Sequence, residues 1–590
     1  MRRRIDVRDD RGVALLTVIV LGLVMTVLVA AALGTVSSGA QAARSDQDST
    51  GALDAAYSGV QDYLARLNAD PAYEGYGNPS SLFSQNSSSS VALPSTPNPA
   101  FGFGTSGTCT SSSTCTGTWG SVPGSGTTAS FRYETDNSAY SGTGLIRVRS
   151  TGRVGSQTRS LVANIRQQGF TEFVWFTDFE IRDPKIGAEP DSCKTYAWAG
   201  RASSCVSVPF APGDVLNGPA HSNDTFQVCG ATFNGAVSSS NPNTPIVTTP
   251  SGCSAGTYNV GGGVTYSPTI TMPTSNAAMK TQAISTGCLY TGPTSITMTS
   301  DGKMTVVSPW SKSVRAACGT RAALNSFAGA TVNVPSGNAI FVQNIPTSTS
   351  DPNYTPTSSV PSNFVCLTSD GTSTATGSSS SAGWKFTNSA QTSKFVQYPM
   401  ANEVPPDGWD NGSAWDITTP AYGCRDGDVF IKGVTNGQVS VAAENYVYVT
   451  GNLTYASTQD DLLGLVGTNG VLVWNPVNSS GGSLIGDTNR TIQAAILSTA
   501  HTFEVQMTLK PGLRGTLNVY GSIAQKFRGG VARGDNSGNL AVGYVKNYVY
   551  DPRLADVAPP DFLTPTVSSF EVSRYAAVAS AFTSNGASSS

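Results

Sequence analysis

The sequence predicts a mainly β protein that begins with one long apolar helix. Charged residues make up only 12% of its 590 residues, roughly half the share in an average soluble protein. The 62 Gly and 33 Pro divide most apolar runs into lengths that suit strands. Because the hydrophobic content is 39%, the chain can bury a large core, and disorder throughout is excluded.

The composition also limits the classes of function. A net charge of -3 supplies no positive field for phosphates, which argues against nucleic acid as a partner. The two histidines, His221 and His501, leave little material for a metal centre or for acid–base chemistry. We therefore expect no cofactor, no metal and no catalytic residue.

The first element is predicted to cross a membrane. Residues 1–12 hold five Arg and three Asp and form a cytoplasmic leader, whereas residues 13–33 carry no charge. At about 1.5 Å per residue, this uncharged run covers the roughly 30 Å of hydrocarbon in a bilayer. Since arginine clusters stay in the cytoplasm, we expect a single pass with the bulk of the chain outside the cell.

The helix is predicted to continue to residue 68. Beyond the apolar run, six residues recur at spacings of three and four and form one face of a helix: Leu53, Ala56, Tyr57, Val60, Leu64 and Leu67. The alternative is a secretory signal that is cleaved behind the apolar run. The length of the run and the continuing helical pattern favour a retained helix over residues 13–68.

Gly12, followed at once by the apolar run, resembles the class III signal of type IV prepilins. Residues 51–73, GALDAAYSGVQDYLARLNADPAY, are similar to the N-terminal region of PilX-type minor pilins. Residues 218–237 and parts of 517–563 resemble actinobacterial PilX-like surface proteins. The resemblance implies that a prepilin peptidase cleaves between Gly12 and Val13 and leaves the helix on the mature protein.

From this resemblance we expect a minor pilin that acts in type IV pilus assembly, surface display or adhesion and is not an enzyme. Thr17 stands where most major pilins have a glutamate, which favours a minor subunit. The expected partners are the membrane, other pilin subunits, the assembly machinery and a surface glycan or protein ligand. The alternative is a single-pass surface adhesin, or a glycan-active β-helix protein, that stays outside any pilus.

Two β domains are predicted to follow the helix. Residues 131–136, 144–152 and 158–168 alternate apolar with polar residues, which is typical of half-buried antiparallel strands. They predict a small pilin-like sheet domain over residues 69–168. Residues 169–565 contain many short apolar runs that are divided by Gly, Asn and Ser.

The larger domain is predicted to be a right-handed parallel β-helix, with β-sandwich domains as the alternative. Val429, Val447 and Leu465 fall 18 residues apart, a spacing that suits successive coils. No helix-length segment separates the apolar runs, which disfavours a wound α/β sheet. The small polar tail, residues 566–590, is predicted to be partly disordered.

All ten cysteines follow the membrane segment, which suits disulfides that form after export. Neighbours in the sequence are expected to pair: Cys109 with Cys115, Cys193 with Cys205, Cys229 with Cys253, Cys288 with Cys318, and Cys366 with Cys424. Because the chain has no C-x-x-C spacing, zinc is disfavoured.

Two polar motifs are interpreted as structural. Residues 102–107 match a dinucleotide-binding glycine pattern, but they lie in a Ser/Gly-rich loop and not between a strand and a helix. The run from His221 to Asp224 contains a base, a hydroxyl and a carboxylate. Consecutive residues cannot all point into one site from a strand, so a turn or a stacked polar ladder is favoured.

The remaining candidates are also weak. Asp191 and the pair Asp460–Asp461 are candidates by default for a glycan-cleaving carboxylate pair. Residues 535–539 lack the terminal glutamate of a calcium loop. A tyrosine-rich end forms either an exposed binding surface or packing that closes the last coil, and packing is favoured: Tyr544, Tyr548, Tyr550 and Phe562.

Overall fold

The chain forms two units. The computed structural model describes residues 11–84, 89–96, 98–102, 118–126, 128–140, 144–167, 169–184, 190–368, 383–391, 393–404, 421–486, 489–506, 512–534, 540–566 and 569–589. The helix unit consists of Met1–Arg166 with Phe570–Ser590, and the ladder unit consists of Gln167–Ser569. The sequence places these boundaries at residues 168 and 565.

In the helix unit, helix α1 spans Arg11–Ala69 and confirms the predicted long apolar helix. A five-stranded sheet follows, with the spatial order Gly120–Ser121, Ala129–Asp136, Leu145–Val154, Gln157–Gln167 and Phe570–Val578. The first four strands pair antiparallel, which confirms the predicted small antiparallel sheet. Short 3-10 helices lie at Pro71–Gly75 and Pro99–Phe101.

The C-terminal half of α1 packs on this sheet. Five residues form the centre of its buried face: Ala52, Ala56, Val60, Tyr63 and Leu67. Tyr57, which the sequence places on this face, is 41% exposed and packs edge-on against Tyr575. One residue turns a helix by about 100°, so Tyr57 lies beside the line that Ala56, Val60 and Tyr63 share.

Gly152 allows the helix to approach the sheet closely. A Cβ atom at this position would overlap the backbone of Ala52 and Ala56 in α1. The strand that contains Gly152 therefore touches the helix backbone to backbone, which a larger residue would prevent.

The C-terminal tail differs from the prediction of partial disorder. Phe570–Val578 is the edge strand of the five-stranded sheet. The side chain of Asn68 holds its first residue, because Asn68 Nδ2 donates to the Phe570 carbonyl at 3.1 Å and the Phe570 amide donates back at 2.6 Å. The apolar side chain of Phe570, which is buried in the helix-unit core, explains why the strand docks.

The ladder unit contains three ladders of parallel strands. Ladder A has the spatial order Val264–Tyr266, Val237–Ser239, Ala220–Ser222, Trp175–Phe179, Gly512–Phe527, Arg490–Ser498, Leu462–Gly467, Gln438–Ala443, Asn338–Gln343 and Cys288–Thr291. Ladder B runs through Thr294–Thr299, Val429–Thr435, Tyr446–Tyr455, Gly470–Val473 and Thr502–Val505. Ladder C runs through Val429–Thr435, Tyr446–Tyr455, Arg490–Ser498, Gly512–Phe527, Leu540–Tyr550, Val215–Asn217, Thr232–Phe233 and Thr257–Tyr258.

Smaller elements cover the ladders. Antiparallel strands extend ladder B at Lys303–Val307 and Ala330–Asn333, and ladder C at Ala532–Gly534. Phe226–Gln227 pairs with Val247–Thr248, and a separate antiparallel sheet contains Phe364–Cys366, Trp384–Thr387 and Phe395–Tyr398. The helices are α2 at Ala277–Ser285, α3 at Arg321–Leu324, and 3-10 turns at Phe170–Glu172, Asp191–Cys193, Ala197–Ala199, Ala316–Cys318 and Pro552–Ala555.

The three ladders enclose one apolar core. Val441 of ladder A, Val447 of ladder B and Val519 of ladder C are all buried in it. Gly512–Phe527 takes part in two ladders, and Gly521, with φ 154°, lies where it passes from ladder C to ladder A. A Cβ atom there would overlap the carbonyl of Ala494 on the neighbouring strand, so this bend requires glycine.

The predicted period of 18 residues holds for one pair only. Val429 and Val447 are cross-strand partners in ladder B. Leu465, the predicted third member, pairs instead with Val441 in ladder A, and the next partner of Val447 is Val471. Loops of unequal length between the strands change the spacing from coil to coil, so a fixed period fails.

The strands of ladder A do not follow one another in sequence order. Trp175–Phe179 pairs with Gly512–Phe527 on one side and with Ala220–Ser222 on the other. After Val264–Tyr266 at one end, the chain crosses the outer face of ladder A. Helix α2 is part of this crossing segment, and its buried Met279 packs in the cluster that covers that face.

Four disulfides brace the ladder unit. They join Cys193 with Cys205, Cys229 with Cys253, Cys288 with Cys318, and Cys366 with Cys424. These are four of the five neighbouring pairs expected from the sequence. Cys109 and Cys115 lie outside the described residues.

Candidate functional site

The N-terminal part of α1 is the most unusual surface of the helix unit. Every large apolar side chain from Leu15 to Val36 is 50–69% exposed, on all sides of the helix. A helix that is apolar all round is stable only where lipid or other apolar helices surround it. An 18-residue window of the Ala14–Ala69 span reaches a mean hydropathy of 2.8, which is sufficient by length and composition to cross a membrane.

The polar groups of this segment are satisfied within the helix. Thr17 Oγ1 donates to the Ala14 carbonyl at 3.0 Å, and Thr35 Oγ1 donates to the Ala32 carbonyl at 2.9 Å. Thr26 Oγ1 donates in the same way to the carbonyls one turn before it. Burying a hydroxyl without a hydrogen bond in hydrocarbon costs roughly several kcal/mol of free energy. Because these three threonines are bonded within the helix, they are compatible with a bilayer.

The same helix changes its partner near residue 45. Gln157 Nε2 donates to Ser45 Oγ at 3.1 Å, and Arg159 Nε donates to Ser49 Oγ at 2.9 Å. These contacts begin just after Arg44, the first charged residue beyond Arg11. The helix therefore has an uncharged, uncovered part and a part that is packed on the sheet.

The predicted cleavage position lies at the start of α1. Gly12 and Val13 belong to the helix that begins at Arg11, and the structure describes their backbone only. The leader residues before Arg11 lie outside the described residues.

The run from His221 to Asp224 is buried and fully engaged inside ladder A. His221 Nδ1 lies 2.9 Å from Ser238 Oγ, and its Nε2 lies 3.2 Å from Asn223 Oδ1. Burial lowers the pKa of His221 to about 4, so the ring is neutral at physiological pH. Asn223 Nδ2 donates to Asp178 Oδ1 at 2.8 Å and to the Ile270 carbonyl at 2.7 Å.

Asp224 completes this buried network. Its carboxylate forms an ion pair with Arg201 and accepts the amides of Glu180 at 3.0 Å and Ala197 at 2.7 Å. Both charged side chains of the pair are at most 3% exposed. The network ties the turn at Asp224 to neighbouring segments and has the structural role that the sequence favours.

The other polar candidates do not converge on a site. Asp191 is 68% exposed and pairs with Lys194, and Asp461 accepts the amides of Gly437 and Ser457 at 2.6 Å each. His501 Nδ1 contacts Asp183 Oδ2 at 2.7 Å. Within the part of the chain that the structure describes, no group of three His, Cys, Asp or Glu residues could hold a metal ion.

The remaining candidates also occupy structural positions. Tyr544 and Tyr548 are fully buried in the ladder core, Tyr550 packs against that core, and Phe562 packs on ladder A. These four side chains therefore pack on the ladders and do not form an exposed aromatic surface. Of residues 102–107 only Gly102 is described, and residues 535–539 lie outside the described ranges.

The sequence did not predict several buried carboxyl groups with a raised pKa, among them Glu403, Asp426 and Asp428. Burial raises the pKa of Glu403 to about 7, and burial together with the charge of Glu444 raises the pKa of Asp426 to about 7. Burial and the charge of Asp426 also raise the pKa of Asp428. Glu403 lies among aromatic residues, where Tyr422 OH donates to its Oε1 at 2.8 Å. No spacing in the sequence indicates this desolvation, because it depends on packing.

Comparisons with known proteins give a structural neighbour but no family. No family model matches the chain, and no curated protein matches it. The crystal structure of the competence-associated pilin ComZ from Thermus thermophilus is similar at 12% identity, with 90% of this chain and 97% of that chain covered. The TM-score is 0.26, which does not by itself establish a shared fold.

Proposed function

We propose that this chain is a membrane-anchored minor pilin of the PilX type, which displays the ladder unit outside a bacterial cell. The observation that carries the proposal is the division of α1. Its first part is apolar and uncovered from Leu15 to Val36, and its second part packs on an antiparallel sheet. A subunit of a helix-cored filament needs these two parts in this order.

The dimensions of α1 support this assignment. A helix of 59 residues is about 90 Å long, roughly three times the hydrocarbon thickness of a bilayer. The uncovered part fills the membrane, and the part packed on the sheet lies beyond it. Gly22 lines a groove with Thr17 and Met25, and its missing side chain suits close packing of a second apolar helix.

The ladder unit supports a display role. Its parallel ladders favour a right-handed parallel β-helix over sandwich domains, because sandwiches are built from antiparallel sheets and parallel crossovers are right-handed. Four disulfides are typical of an oxidising, extracellular compartment. A head of this size would crowd every subunit of a shaft, so we place the protein at a rare or tip position, with a surface glycan or protein as its ligand.

Mass spectrometry of the mature N-terminus tests the proposal. In cells that express a prepilin peptidase, we expect Val13 as the first residue. Replacing Gly12→Val should leave the leader on the chain, whereas Gly34→Val, in the same helix but away from the cleavage position, should not. A Met1 start in the wild type supports a plain anchor or surface adhesin, and a start beyond residue 36 rules out a retained helix.

A second experiment tests the position in the filament. Gold labels on the ladder unit should decorate the ends of purified pili. Decoration along the whole length would contradict the tip position but not membership of the pilus. Absence of the protein from purified pili would favour the alternative of a single-pass surface protein.

A further inference from the structure

The two ends of the ladder stack are built differently. At one end, Cys288–Thr291 is covered: the Thr291 amide donates to Ser311 Oγ at 2.9 Å, and Tyr290 OH donates to the Cys318 carbonyl at 2.9 Å. The disulfide between Cys288 and Cys318 fixes this cover. At the same end, the antiparallel strands Lys303–Val307 and Ala330–Asn333 extend ladder B. This end therefore has the cap that a stack of coils requires.

The opposite end, which we call the open edge, consists of Thr257–Tyr258 and Val264–Tyr266. Each strand pairs with a preceding coil on one side, and no described strand pairs on the other. Tyr266 is 59% exposed and Val260, between the two strands, is 47% exposed. An edge of this kind presents main-chain donors and acceptors to another strand.

Two rows of contacting side chains run along ladder C and end at the open edge. Asn234 Nδ2 donates to Asn217 Oδ1 at 2.7 Å, and Asn259 Nδ2 donates to Asn234 Oδ1 at 2.6 Å. The Tyr258 ring stacks on Phe233 with centroids 5.2 Å apart and planes 7° apart. The rows end at Asn259 and Tyr258, whose outer sides face the position that a further strand would occupy. The last coil is held in place by the disulfide between Cys229 and Cys253.

The charge pattern identifies the occupant. Residues 225–279 contain no Asp, Glu, Lys, Arg or His. Exposed edge strands are normally protected by charges, and the absence of charge removes the repulsion that would keep two identical edges apart. An Asn amide carries both donor and acceptor, and an antiparallel strand pair is symmetric, so the edge is complementary to itself.

We propose that two copies of this chain pair through their open edges about a two-fold axis. Val264–Tyr266 of one copy lies antiparallel to the same strand of the other. A two-fold contact uses the same edge on both copies and leaves neither edge free for a third copy, so it closes as a dimer. Pro268 limits the paired strand to a few residues, which favours a reversible contact. The inference does not depend on the pilus assignment.

Cysteine cross-linking of the full-length chain tests the pairing. In detergent micelles at less than one chain per micelle, Thr265→Cys should form an intermolecular disulfide, since opposed Cβ atoms across an antiparallel pair are about 5 Å apart. Thr331→Cys, at an exposed position of the capped end, is the matched control and should remain monomeric. Peptide mapping should find position 265 joined to position 265.

Charge substitution gives an independent readout. In sedimentation velocity, Thr265→Lys should weaken association at least about tenfold, because two like charges then face each other, while Thr331→Lys should leave it unchanged. Equal cross-linking at positions 265 and 331 would show association through the apolar helix and overturn the proposal. A monomer at all concentrations, or a monomer whose edge instead binds a strand of another protein, would also overturn it.

Discussion

Replacing Glu403→Gln tests the buried carboxyl group that has the clearest surroundings. Glu403 is only 5% exposed. Its Oε1 accepts bonds from Tyr422 OH at 2.8 Å and from Gln506 Nε2 at 3.1 Å, and its Oε2 accepts the Met400 amide at 2.6 Å. Glutamine has nearly the same shape but cannot ionise. The substitution therefore removes the titration and keeps most of the packing.

The direction of the pH effect follows from the raised pKa. Burial raises the pKa of Glu403 from 4.5 to about 7, against hydrogen bonds that lower it. Between these values the unfolded chain releases the proton while the folded chain retains it, so the free energy of unfolding falls as pH rises. At about 1.36 kcal/mol per pH unit, the loss between pH 4.5 and pH 7 is at most about 3 kcal/mol.

Urea denaturation followed by tryptophan fluorescence measures this loss. Trp474 is a suitable reporter, because its Nε1 donates to Tyr422 OH at 2.9 Å beside Glu403. Between about pH 5 and about pH 8, the free energy of unfolding should fall further in the wild type than in Glu403→Gln. The difference between the two falls should be up to roughly 3 kcal/mol. Asp460→Asn, which removes an exposed carboxylate, is the control. Parallel pH curves for wild type and Glu403→Gln would refute the reasoning.

Three further substitutions test the packing described above. Gly152→Ala should destabilise the helix unit by about 1–3 kcal/mol, because the new methyl group meets the backbone of α1. Gly34→Ala is the control and should not destabilise it, because the space around Gly34 is open. Thermal unfolding measures both variants. Asp224→Ala should lower the free energy of unfolding by about 3–5 kcal/mol, because it leaves the buried guanidinium of Arg201 unpaired. The control Asp191→Ala removes an exposed carboxylate and should cost about 0–1 kcal/mol. An equal cost for the two variants would contradict the buried network. Replacing both cysteines of the Cys288–Cys318 disulfide by Ala should cost about 3–4 kcal/mol in urea, because the bond closes a 30-residue separation; an unchanged midpoint would contradict this.

The sequence predicts the helix unit well because its patterns are local. An uncharged run and a face at spacings of three and four define α1, and alternation defines its sheet. Tyr63, which is fully buried, was not among the predicted residues, although its spacings of three to Val60 and four to Leu67 fit the same face. The docking of Phe570–Val578 was also missed, since the partner of that strand is distant in the sequence.

In the ladder unit, the sequence predicts strands but not their neighbours. The 18-residue spacing of Val429 and Val447 predicts that their strands are neighbours, and the register confirms that pair. The placement of Leu465 failed because a loop, not a period, decides which ladder a strand joins. The buried carboxyl groups, such as Glu403, could not be predicted, because desolvation arises only after distant aromatic residues assemble around them.

The order of the strands in ladder A determines what the ladder unit needs in order to fold. Trp175–Phe179 lies between Gly512–Phe527 and Ala220–Ser222, so the last strand of ladder A to be synthesised joins two groups of strands. Loss of Gly512–Phe527 would leave two edges of ladder A unpaired, one on Trp175–Phe179 and one on Arg490–Ser498. In a ladder built in sequence order, loss of the last strand exposes one edge only. Because each strand is stabilised by its neighbours, the two groups become one cooperative ladder only after Gly512–Phe527 has been synthesised.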